Sequence, residues 1–331
     1  YSFVKAHSAS YAMLSFKSAY LRAHYPAEFM AAVISNRGGY YSTLAYASEC
    51  RRMGLTLLPP DVNQSEVRCR GKGKDIRWGL GLIVSFQEKV AERIVEERKM
   101  NGFYTSIDDF SRRIGPDRET SEALVGSGAL DSLALEQTRA QKLMRLFAFQ
   151  SVKEHKNEER ELFEDLSSGA DNSSLEFFIR KTPKRLPSVE LEQLEHVEPG
   201  QSTKKESKRK ILETQMKYLT TTLACHPLEL VPRALSYPRV RACEIGRFVG
   251  NTIQLLGWPI TAKVVLTTEK EQMEFVSFED ETALYETVLF PDVYRKYRHL
   301  LYDQRPLVIR GKVQEDRGAI TVEVLSVSIF T

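Results

Sequence analysis

Between residues 252 and 329 the chain reads TIQLLGWPITAKVVLTT (252–268), MEFVSFED (273–280), ALYETVLF (283–290), PLVIRGKV (306–313) and AITVEVLSVSI (319–329). These five runs are rich in β-branched and aromatic residues. Apolar residues tend to recur at every second position, the period of a strand with one buried face. Phe275 and Phe278 differ in strand parity, so at least one of them must point into a core. Between the third and fourth runs lies PDVYRKYRHLLYD (291–303), whose spacing is helical.

Five strands with a helix in that slot is the order of an OB-fold β-barrel. Barrels of this kind often present a face to single-stranded nucleic acid, with cations tracking phosphates and aromatics stacking on bases. Trp258, Lys263, Phe275, Arg310 and Lys312 are the residues expected on such a face. Proteins and sugars are bound by the same architecture, so the pattern alone leaves those ligands open.

Upstream the period changes to that of helices. Residues 8–35 read as helices broken at Tyr25–Pro26, with Pro26 opening the second. TLAYASECRRMG (43–54) is another, with Gly54 placed to end it. Residues 76–99, IRWGLGLIVSFQEKVAERIVEERK, give an apolar segment, a turn and a charged amphipathic helix. GFYTSIDDFSRRIG (102–115) and TSEALVGSGALDSL (120–133) follow as further helix–turn pieces, the second capped by Thr120 or Ser121.

The pieces at 76–98 and 119–131 suggest paired helix-hairpin-helix units, in which a small-residue turn lets backbone N–H groups meet a phosphate. VGSGAL supplies Gly126, Ser127 and Gly128 for that role. The first turn, IVSFQEK, has no glycine and offers Ser85, Gln87 and Lys89 instead. The acidic runs Asp108–Asp109 and FEDE (278–281) read as caps or turns rather than a two-metal site.

Residues 153–206 are polar, charged and serine-rich, the composition of a linker, and QSTKKESKRK (201–210) adds a basic cluster. A helix over Lys210–Cys225 is expected to stop at His226–Pro227. The 331 residues suggest more than one compact unit, and the net charge of +3 provides no global basic field, so nucleic-acid binding would need local patches. Cys50, Cys69, Cys225 and Cys243 lie far apart without a C-x-x-C spacing, which argues against zinc and against a secreted disulfide scaffold. A reducing cytoplasm fits, and no apolar run is long enough for a membrane span. The chain opens on Tyr1 rather than Met, which gives the expectation of a piece of a larger protein.

The motifs also have a collinear order. YSFVKAHSASYAMLSFKSAYLRAHYPAEFMAA, ECRRMGLTLLPPDVNQS, IRWGLGLI, GFYTSIDDFSRR, LVGSGALDSL, CHPLEL and MEFVSFEDETALYETVLFPDVY follow one another. In that order they resemble the C-terminal part of the bacterial C-family DNA polymerases, the DNA polymerase III alpha subunits. The resemblance implies a multi-domain α + β chain. Residues 1–57 would be the helical end of the fingers, and 58–135 a tandem helix-hairpin-helix domain on duplex DNA. Residues 136–239 would be a connector, and 240–331 the OB domain near the single-stranded template. Lys5 and His7 match the Lys and His of the family's fingers motif, near nucleotide or template.

Polymerases of this family reach the sliding clamp through a segment resembling Gln-x-x-Leu-Phe, whose positions here are Glu159, Leu162 and Phe163. The implied partners are primer–template DNA, single-stranded DNA, the clamp and other replisome subunits, in the bacterial nucleoid. The palm aspartates that hold two Mg²⁺ ions in the family have no counterpart in these residues, so no cofactor is expected and the piece should be inactive alone. The family's error-prone lesion-bypass branch, raised by the missing clamp-loader-binding domain, and a non-catalytic single-strand-binding adaptor are the alternative readings.

Overall fold

In a computed structural model, residues 5–37, 39, 41–150, 208–302 and 305–330 are described. Helix α1 (Lys5–His24) leads into α2 (Pro26–Asn36), with Pro26 at its first turn. There the missing N–H is no loss, because first-turn donors have no partner inside a helix. α2 buries Ala27, Met30, Ala31 and Ile34, the i, i+3, i+4, i+7 stripe of a core-facing helix. α3 (Thr43–Arg52) is capped by Ser42, whose hydroxyl accepts from the Ala45 N–H. Gly54, at φ +75°, then turns the chain into a strand.

Strands β1 (Thr56–Leu58), β2 (Arg70–Lys72) and β3 (Asp75–Arg77) form a small sheet in the order β1-β3-β2. Helices α4 (Glu88–Asn101), α5 (Ile107–Ile114) and α6 (Arg118–Ser127) follow, and residues 139–150 are helical. α7 (Lys208–Leu219) closes this helical body. One core gathers Ile34, Trp78, Ile94, Phe110, Leu124, Leu146 and Tyr218.

Two helix ends differ from the sequence expectation. α6 is capped by Asp117, whose carboxylate accepts from the Thr120 N–H at 2.8 Å, rather than by Thr120 or Ser121. α7 stops at Leu219, six residues before Cys225, because Thr220 turns left-handed at φ +56°. The hydroxyls of Thr220 and Thr222 then donate to backbone carbonyls nearby, the local competition that makes such residues helix breakers.

The remaining strands are β4 (Thr252–Leu266), β5 (Gln272–Glu279), β6 (Leu284–Leu289), β7 (Leu307–Asp316) and β8 (Ala319–Ile329). They close into a barrel in the order β4-β5-β6-β8-β7, with helix α8 (Pro291–Leu301) between the third and fourth strands. That is the expected OB arrangement. β4 is long enough to pair with β7 through its first half and β5 through its second. Phe278 is fully buried in the barrel and stacks on Tyr285, while Phe275 is exposed, as opposite parity demands. Among the described residues no helix is long and apolar enough to cross a membrane.

Candidate nucleic-acid interface

The two hairpins differ in local geometry from what their sequences suggest. In the glycine-rich one, Gly126 and Ser127 are the last residues of α6, and Gly128 is its left-handed C-cap at φ +87°. The Gly128 N–H donates to the carbonyls of Leu124 and Val125, and the Ser127 hydroxyl donates to Leu124. All three residues are buried. Gly126 lies against the Tyr218 ring, so its missing side chain serves packing. A helix C-terminus presents carbonyls, not N–H groups, and repels phosphate. Gly126, Ser127 and Gly128 are therefore packing and capping residues, a correction to the expected phosphate-binding turn.

The glycine-free hairpin has the geometry the other lacks. Leu80–Leu82 form a 3-10 turn, the chain loops through Ile83–Gln87, and α4 begins at Glu88 with no side chain capping it. The Val90 N–H donates to the Gln87 carbonyl, so within the first turn the N–H groups of Glu88 and Lys89 are the ones that can face an anion. Ser85, Gln87 and Lys89 are all exposed around this end, and Ser85 takes the left-handed turn at φ +61° without a glycine. Glu88, also in the first turn, opposes an anion, so Lys89 is needed to restore attraction. The loop is held from behind. The Val84 N–H donates to the Tyr218 carbonyl at 2.8 Å, and the Arg37 guanidinium donates to the Gly81 carbonyl at 2.6 Å.

On the barrel, the expected face is divided by a covered middle. Leu256, Trp258 and Ile260 of β4 pack with Leu44 and Ala45 of α3 and with Leu228 and Ala234 of the connector. Trp258 is only 8% exposed and cannot offer a ring face for stacking, which corrects its expected role. On one side of the covered stretch Lys263 pairs across strands with Phe275, which is 41% exposed. On the other, Arg310 and Lys312 stand exposed on β7, opposite Gln254 and Thr252. At ~3.3 Å per residue the two groups lie roughly 30 Å apart along β4. The covered stretch of Leu256, Trp258 and Ile260 lies between them along the strand.

The acidic run after Phe278 fastens the barrel to the body. Glu279 is fully buried and accepts from the Ser48 hydroxyl at 2.7 Å, with Arg52 3.5 Å away. The Leu228 N–H donates to His226 Nδ1, which places the ring proton on Nε2, 3.1 Å from Glu279 Oε1. Arg51 bonds Ser48 and the Thr222 carbonyl, and burial lowers its pKa against the opposing pull of Glu279. Asp280 accepts from the Ala242, Thr282 and Ala283 N–H groups, and Glu281 takes Arg239 through two 2.7 Å bonds. Ser48, His226 and Glu279 are thus structural: the serine bonds the carboxylate, not the imidazole, and all three are buried. This cluster, missed in the sequence, carries one signal there, the His226–Pro227 pair within CHPLEL.

Asp108 pairs with Arg145, and Asp109 accepts from the Thr105 N–H and pairs with Arg113. Among the described residues no group of three or more His, Cys, Asp or Glu is arranged to hold a metal ion. Lys5 and His7 stand exposed near the start of α1, His7 edge-on to Tyr11 at 4.6 Å between ring centroids. Glu159, Leu162 and Phe163 lie outside the described residues.

A closed five-stranded barrel joined to a helical body with an open hairpin is the build of a helix-hairpin-helix and OB-fold protein, and the family model for the Helix-hairpin-helix motif matches residues 54–142. Over its whole length the chain is similar to the DNA polymerase III alpha subunits. It is 30% identical to DNA polymerase III subunit alpha of Mycobacterium tuberculosis over 346 residues, covering 100% of this chain and 27% of that one. The Saccharopolyspora erythraea subunit is 29% identical, over 97% of this chain and 26% of its own length. The Escherichia coli O157:H7 subunit is 28% identical over 96% and 26%. The chain thus spans about a quarter of the length of the curated relatives it matches. Among solved structures, the second OB-fold domain of replication protein A from Methanococcus maripaludis aligns over 25% of this chain and 86% of its own at 10% identity. The TM-score of that alignment is 0.20.

Proposed function

We propose that these residues are the DNA-binding C-terminal region of a DNA polymerase III alpha subunit. The observation that carries this reading is the uncapped, exposed start of α4 with Ser85, Gln87 and Lys89 around it, inside the region matched by the helix-hairpin-helix model. A duplex phosphate would take the α4 N–H groups and Lys89, a contact that reads backbone and not base. The barrel would hold the single-stranded template with Lys263 and Phe275 at one end of β4 or Arg310 and Lys312 at the other. Lys5 and His7 would lie toward nucleotide or template. The division into fingers end (1–57), hairpin domain (58–135), connector (136–239) and OB domain (240–331) belongs to the same proposal.

Nucleotidyl transfer would belong to other parts of the parent polymerase, in the cytoplasm. Asp108, Asp109, Glu279 and Glu281, which lie in the two acidic runs, are each tied to arginine rather than free to hold metal. Glu159, Leu162 and Phe163 would engage the sliding clamp, and Leu162→Ala with Phe163→Ala should abolish clamp capture if they do. Retained capture would remove that assignment.

Fluorescence anisotropy with a labelled 20-base-pair duplex tests the main reading. Lys89→Glu should weaken binding about tenfold and flatten its salt dependence, since one phosphate contact is lost and a repulsion gained. Unchanged affinity would refute the hairpin assignment.

A further inference from the structure

The stretch Val67–Lys72 alternates with a two-residue period between held and free side chains. Val67 and Cys69 pack against the helical core, the Cys69 N–H donates to the Ser35 hydroxyl at 2.8 Å, and its thiol accepts from the Gly79 N–H. Gly71 sits so close to α2 that a Cβ there would lie 2.2 Å from the Ala27 backbone. Between these fixed positions Arg68, Arg70 and Lys72 are all exposed, and Lys74 follows in the turn. β2 is the edge strand of its sheet, so this row faces no further strand. None of the four cations forms an ion pair with a described acid, although Asp75 lies across from Lys72. Glu66, the nearest carboxylate upstream in sequence, is already taken by Arg98 and Lys99.

We infer that Arg68, Arg70 and Lys72 form a rigid basic comb that binds the phosphodiester backbone of duplex DNA, extending the hairpin contact. The inference rests on the duplex-binding reading of the hairpin. Within β2 the alternate residues Arg70 and Lys72 stand ~6.6 Å apart on one face, far enough for each cation to meet a separate phosphate of one DNA strand. The comb is also continuous with the hairpin. The Leu80 N–H donates to the Glu66 carbonyl and the Gly81 N–H to the Val67 carbonyl, both at 2.9 Å, immediately before the loop that carries Ser85 and Gln87. Because the inward residues are fixed to Ser35, Gly79 and α2, the cations meet a phosphate chain with less backbone ordering to lose than a loop would have.

The experiment measures binding of the full chain to a labelled 20-base-pair duplex from 50 to 400 mM NaCl. It compares wild type, Arg68→Ala/Arg70→Ala/Lys72→Ala, and Ser85→Ala/Gln87→Ala/Lys89→Ala. The comb variant should lower the magnitude of the log–log salt slope by about 2–3 and weaken binding ten- to hundredfold at 100 mM salt. Its melting temperature should stay at the wild-type value, because exposed side chains without ion pairs are removed. A hairpin variant that weakens binding beside a comb variant with unchanged slope and affinity overturns the comb and leaves the hairpin reading standing. No duplex binding by the wild type overturns both. A comb variant that keeps its DNA affinity but loses binding to poly-glutamate would assign the row to an acidic protein and also overturn the inference.

Discussion

Gly126 lies so close to the ring of Tyr218 that a Cβ at position 126 would sit 2.2 Å from both Cδ2 and Cε2. Tyr218 is also the residue whose carbonyl accepts from Val84, so one contact joins the end of α6 to the back of the open hairpin. Gly126→Ala must push the ring away. It should destabilise the chain by about 1–3 kcal/mol through overpacking. Adding Tyr218→Leu, which vacates the space, should recover part of the loss. Denaturant unfolding of the single and double variants measures both effects, and an Ala variant as stable as wild type would show that the contact yields freely.

Glu279→Ala should loosen the barrel from the helical body. The change leaves Arg52, Ser48 and His226 facing a vacancy in a buried site, and breaking such a buried pair costs on the order of 3–5 kcal/mol. Limited proteolysis in the Thr222–Pro238 connector should accelerate. Far-ultraviolet circular dichroism should change little, because each core is built from its own residues. A proteolysis rate equal to wild type would mean that the apolar contacts of Trp258 alone hold the barrel in place.

Burial raises the pKa of Glu274, whose Oε2 has no hydrogen-bond partner among the described residues. The Tyr302 hydroxyl donates to its other oxygen at 3.3 Å. The folded chain therefore keeps this proton to a higher pH than the unfolded chain does. Stability falls as pH rises from the ordinary glutamate value through the raised one, and the loss persists above it. Glu274→Gln should raise the melting temperature at pH 8 and have less effect at pH 4. An equal shift at both values would separate the effect from ionisation.

Thiol labelling should separate Cys243 sharply from Cys50 and Cys69. Cys243 is exposed, whereas burial pushes Cys50 up to about 12 and Cys69 to about 11. At pH 8 roughly one Cys69 thiol in a thousand is then ionised, and thiolate is the reactive form. One equivalent of an aromatic disulfide reagent should react quickly at Cys243, with Cys50 and Cys69 following only on unfolding. Rapid native modification of Cys50 would contradict the packing of α3.

The barrel was legible because its strands carry their own pattern. Parity in MEFVSFED separates Phe278 from Phe275, and the helix at 291–301 marks the topology. What local sequence could not express was contact between distant segments. Trp258 has the composition of a stacking residue, and only its meeting with Leu44 and Leu228 makes it an interface residue. Glycines flanking a serine suit either a phosphate turn or a helix C-cap, and the choice at Gly126–Gly128 is made by Tyr218, some ninety residues on. Conversely, IVSFQEK looked poor in small residues, yet Ser85 accepts a left-handed conformation and leaves the helix start open.

The burial of Trp258 between barrel and body supplies an optical readout that needs no label. The chain has two tryptophans, and the other, Trp78, is fully enclosed in the helical core. With Trp78→Phe in place, emission comes from the junction alone. Water reaching the indole there would shift it to longer wavelength as the barrel lifts away, before either core melts. A red shift preceding the loss of helical ellipticity during a denaturant ramp would follow the separation of the two halves in real time.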